Sequence, residues 1–97
     1  MAVESKEFRS VLNIEQAALV LRKKFRQFRW QLREKEYYGT YLLGTLPEQP
    51  GAKIKLHYVG GELELEIWDS AHVGALPDGT PVSELLAALK ASDVRDS

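Results

Sequence analysis

Apolar side chains recur at helical spacing after Asn13. Ile14, Ala18, Leu21, Phe25, Phe28 and Leu32 are separated by four or three residues, and at about 100° per residue they gather into one stripe. Asn13 can accept a bond from a free backbone N–H, and Gln16, three residues on, can bond back to the cap. The pattern predicts a long N-terminal helix from about residue 14 to about residue 34. A second period runs through its end. Phe28, Trp30 and Leu32 alternate with Arg29, Gln31 and Arg33, which is strand spacing. On that alternative the helix stops near Lys24 and the sheet gains a strand. The 3.6-residue period runs longer, and Lys, Arg, Gln, Glu and Leu favour helix, so the long helix is the expectation.

The second half of the chain reads as strands. Tyr37–Leu46 is rich in aromatic and β-favouring residues, with a bulge or a close backbone approach expected at Gly39 or Gly44. Pro47–Gly51 reads as a loop, because two prolines cannot donate to a ladder. The runs KIKLHYV and ELELEIW are joined by Gly60-Gly61, a two-residue turn suited to positive φ at both positions. That turn pairs residues whose numbers sum to 121. One face of the hairpin then carries Ile54–Ile67, Leu56–Leu65 and Tyr58–Leu63, and the other carries Lys55–Glu66 and His57–Glu64. Asp69–Gly79 reads as a connecting loop. Thr80-Pro81 opens a short second helix, with Thr as cap and Val82, Leu85, Leu86 and Leu89 as its apolar stripe. Residues 1–12 read as an edge strand or arm, and 92–97 as a frayed tail.

The expected fold is a single α+β domain of order α-β-β-β-α. It has a three-stranded antiparallel sheet with the Gly-Gly hairpin at its centre, and both helices on one sheet face. The same order occurs in double-stranded-RNA-binding domains. In that family the second helix opens with a lysine cluster, whereas here it opens Thr80-Pro81-Val82-Ser83-Glu84 with no cation before Lys90. The similarity stops at topology.

Composition narrows the chemistry. The 97 residues hold no cysteine, which removes disulfides, thiolate metal sites and a Cys nucleophile. There is no apolar run long enough for a membrane span and no signal-peptide pattern at the start, so a cytoplasmic protein is expected. His57 reads as a surface partner of Glu64. His72, three residues after Asp69, has a spacing too common to indicate a metal. The alternating Glu62, Glu64 and Glu66 read as a solvated sheet face. The glycines form no phosphate loop and the serines no nucleophile elbow. No catalytic residue, metal site or cofactor is expected, and the protein is read as non-enzymatic.

Charge is unevenly distributed along the chain. Residues 1–61 hold eleven Lys and Arg against six Asp and Glu, and residues 62–97 hold two against eight. From Arg22 to Lys35 there are seven cations and one carboxylate, Glu34. On the expected helix Arg22, Arg26, Arg29 and Arg33 form a stripe beside the apolar one. Trp30 projects about 160° away from the apolar stripe, near Lys23 and Arg26. Arginine suits bidentate grip on carboxylate or phosphate, and an exposed Trp beside Arg is a common hot-spot composition. Arg22, Lys23, Arg26, Arg29, Trp30 and Arg33 are therefore the expected partner-binding residues. An acidic protein surface is the first expected partner, bound by an adaptor, inhibitor or small subunit. Nucleic acid is the alternative, with Trp30, Tyr37, Tyr38 or Tyr41 stacking on bases. A pI near 6.1 weighs against that alternative. The basic first half could also meet the acidic second half of another copy.

Overall fold

The chain leaves its first helix at Lys24, and the long helix does not form. In the computed structural model, which describes residues 3–35 and 39–96, the elements run β1 (Val3–Arg9), α1 (Ile14–Lys24), β2 (Arg29–Lys35), β3 (Gly39–Leu46), β4 (Gln49–Val59), β5 (Glu62–Trp68), α2 (Val82–Ala88) and β6 (Ser92–Asp96). The strands form one antiparallel sheet of six in the order β2-β3-β4-β5-β1-β6. The three-stranded, α-β-β-β-α expectation is thus overturned, and with it the topological likeness to RNA-binding domains.

The period-two reading of Phe28–Arg33 prevails because of Trp30. On a helix this indole would face away from the core. As a strand residue it is buried, packed 5.6 Å from the Phe28 ring, and its Nε1–H donates to the Phe25 carbonyl at 2.9 Å. Burying an indole removes about 150–250 Å² from water, which outweighs helix preferences of tenths of a kcal/mol per residue. The turn itself is secured at Phe25, which caps α1 with its N–H on Leu21 O and accepts from Phe28 N–H and the indole.

The other local signals are realised in detail. Both bonds of the Asn13/Gln16 capping box are present, at 2.8 and 2.9 Å. The β4–β5 hairpin has the register that the Gly-Gly turn dictates, from Lys53↔Trp68 to Val59↔Glu62, with positive φ at Gly60 and Gly61. Gly44 is a close approach: a Cβ there would lie 2.5 Å from the Trp30 ring. β4 begins at Gln49, so the β3–β4 connection is shorter than the expected loop. The second helix starts one residue later than expected. Pro81 is its N-cap, and Thr80 instead donates its hydroxyl to Asp78.

The first and last strands are the other corrections. β1 is an inner strand held between β5 and β6 with Phe8 fully buried, and Ser92–Asp96 pairs with it as an edge strand, not a frayed tail. Both helices lie on the face that carries Phe8, Trp30, Leu42, Ile54, Leu56, Leu63, Leu65 and Ile67. No described element covers the opposite face. No helix among the described residues is long and apolar enough to cross a membrane.

Candidate functional site

The uncovered face is built by the residues between the core positions. Paired residues of antiparallel strands share a face, so the registers lay out its rows. Arg29, Thr45, Lys53 and Trp68 form one row across β2 to β5, and Gln31, Leu43, Lys55 and Glu66 form the next. Arg33 and Tyr41 begin the third, and His57, Glu64 and Glu7 continue it on β4, β5 and β1. Cations therefore dominate β2 to β4, and carboxylates dominate β5.

The carboxylates of this face already have partners. Arg95 reaches both Glu62 and Glu7, and these two, Glu62 above all, push its guanidinium pKa up. His57 Nε2 lies 3.2 Å from Glu64 Oε1 and 3.2 Å from Glu66 Oε2. The cations are not answered in the same way. Among the described residues no carboxylate lies within 4.0 Å of Arg29, Arg33, Lys53 or Lys55. Lys53 sits over the Trp68 ring at 5.2 Å and Lys55 over the Tyr41 ring at 5.1 Å. The Arg33 guanidinium is held by Gln31 Oε1 at 2.8 Å. Between the two charged zones a depression of about 340 Å³ is lined by Lys35, Tyr41, Lys55, His57, Val59, Glu64 and Glu66.

The structure divides the expected partner-binding residues. Arg22 and Lys23 are exposed on the last turn of α1, and Arg26 is exposed in the link to β2. Arg29 and Arg33 are exposed on β2 and point to the uncovered face. Trp30 points the other way and is only 6% exposed, so it is a core residue and no docking anchor. The single Arg/Trp helix face does not exist. Arg22 Nη2 donates to Trp30 O at 3.4 Å, tying the last turn of α1 to β2. Tyr37 and Tyr38 lie outside the described residues.

Sequence reasoning missed Lys53, Lys55, Tyr41 and Trp68 as companions of Arg29 and Arg33. The hairpin register already placed both lysines on its polar face, and only a strand at Arg29–Lys35 was needed to join them. His57 does pair with Glu64, but it is buried and also engages Glu66, a diagonal contact that a list of directly opposed pairs omits. His72 is exposed in the loop and bonds the Val73 carbonyl. No protein family and no curated protein match the sequence.

Proposed function

We infer that the protein is a small non-enzymatic interaction module. Its basic half-face, centred on Arg29, Arg33, Lys53 and Lys55, docks an extended acidic segment of a partner protein. One observation supports this reading: the carboxylates of the uncovered face are matched by Arg95 and His57, while among the described residues these four cations have no carboxylate within 4.0 Å. The deficit is one of negative charge, and a partner can supply it. β2 adds a route. It is an edge strand, so an incoming chain can pair with its backbone and present alternate carboxylates to Arg29 and Arg33. Protein is favoured over nucleic acid because Lys55 and Lys53 already cover the ring faces of Tyr41 and Trp68. A stacking base would have to displace them.

Fluorescence anisotropy with two labelled probes tests the reading: a peptide of alternating Glu and Val, and an oligothymidylate. The peptide should bind, and the Arg29→Glu/Arg33→Glu double variant should weaken it by roughly tenfold or more. Stronger binding of the oligothymidylate would move the assignment to nucleic acid. Peptide affinity indifferent to the double variant would end it.

A further inference from the structure

His57, Glu64 and Glu66 bring three ligand-type atoms to one point on the floor of the depression. We propose that they hold a divalent transition-metal ion, with zinc the best match, independently of any partner docked on β2.

The donor geometry comes first. His57 Nε2 is 3.2 Å from an oxygen of each glutamate, and all three atoms lie within 4.8 Å of one another. Zinc bonds of about 2.0–2.2 Å to imidazole and carboxylate place neighbouring donors roughly 3–3.5 Å apart at tetrahedral or octahedral angles. Two of the three separations already fall in that range, and the third is no longer than 4.8 Å. One imidazole with two carboxylates also suits zinc in hardness and in charge, since the two negative charges match one divalent ion.

The surroundings support a metal more than a simple hydrogen-bonded trio. Two carboxylates that are only 18% and 20% exposed converge on one ring nitrogen, which can offer a single proton to both. Lys55 is directly opposite Glu66 in the register, yet its ammonium is turned onto the Tyr41 ring and makes no ion pair with it. Glu66 is also oriented from behind: Trp68 Nε1–H donates to its Oε1 at 3.3 Å, leaving Oε2 to face His57. Such outer support of a ligating carboxylate is the usual companion of a metal site. All three ligands stand on β4 and β5, whose relative position the Gly60-Gly61 turn fixes. The depression of about 340 Å³ above them leaves room for water or a ligand oxygen at the remaining positions.

The protein stripped with a chelator provides the test. Isothermal titration with zinc should give one site per chain, and the melting temperature should rise with zinc concentration as mass action requires. Magnesium, which prefers oxygen ligands and keeps its water, should do neither. Glu64→Gln nearly preserves shape and should weaken zinc binding by at least roughly tenfold. His57→Ala should abolish it, and His72→Ala should leave it unchanged. Cobalt substitution should give visible ligand-field bands in wild type that are lost in Glu64→Gln, a readout that does not depend on how stable the variant is. The proposal is overturned if zinc gives no saturable binding, or if binding survives in Glu64→Gln and His57→Ala. Loss of binding in His72→Ala would overturn it as well.

Discussion

Trp30 and Gly44 face each other across β2 and β3, and their contact decides how the chain runs after α1. The indole fills the space that any side chain at residue 44 would need. Replacing Trp30 with Ala should cost about 3–5 kcal/mol of stability, the range for removing a buried aromatic. Gly44→Ala should cost roughly 1–3 kcal/mol because the ring must shift. Urea titrations would measure both, and a Trp30→Ala protein as stable as wild type would contradict the burial described above. The charge of this segment was legible in the sequence, but the role of its Trp was not. An indole out of phase with its supposed helix is equally what an exposed anchor or a strand residue looks like. Only the Gly44 opposite, unknown until the strands pair, distinguishes the two. His57 shows the same limit: its partner Glu64 followed from the turn, whereas its burial and its second partner required the folded sheet.

Elements defined by short-range signals were readable, and those that need a distant partner were not. The capping box, the Gly-Gly hairpin and the apolar stripe of α2 each rest on residues close in sequence. β1 and β6 have weak patterns of their own, VESKEFR and SDVRD, and become strands because β1 pairs with β5 and β6 pairs with β1. The loop between β5 and α2 is fastened by a similar long-range contact. Asp78 accepts from Gln27 at 2.9 Å and from the Thr80 backbone and hydroxyl at 3.1 and 3.0 Å. Burial pushes its carboxyl pKa up, but these bonds outweigh it and hold the group below its ordinary 3.8. A lowered folded-state value adds stability that is present above the unfolded value and is lost as pH falls through the folded one. Asp78→Asn should therefore be less stable than wild type at neutral pH, with the gap closing below about pH 4. Denaturation of both proteins at pH 7 and pH 3 checks this; an equal gap at both values would mean that charge plays no part.

At the scale of the whole molecule, the uneven charge of the two chain halves becomes a division of one face. The acidic strand β5 meets Arg95 and His57, and the basic strands beside it are left with surplus. Head-to-tail assembly of copies, which the sequence allowed, would have to compete with these internal pairs for the carboxylates of β5. Self-pairing along β2 is also opposed. An antiparallel match about Leu32 would set Arg29 against Lys35 and Gln31 against Arg33, and opposed cations destabilise a strand pair. Light scattering should therefore report a monomer from low to high salt. A dimer that dissociates as salt rises would restore the head-to-tail contact. Binding of an acidic peptide should weaken over the same salt range, because exposed charges are screened within about 10 Å at 0.1 M.

The sheet order has a further outcome for how the molecule is made. β1 is synthesised well before its neighbours β5 and β6, and Lys6 reaches Asp96 across 90 residues. Phe8 must wait, unsheltered, while some fifty residues are added before β5 can receive it, so closure of the sheet is a late event dominated by long-range contacts. A nascent chain stalled before Glu62 would present an unpaired sticky strand, and it is at that stage, more than in the finished protein, that chaperone dependence and aggregation should concentrate.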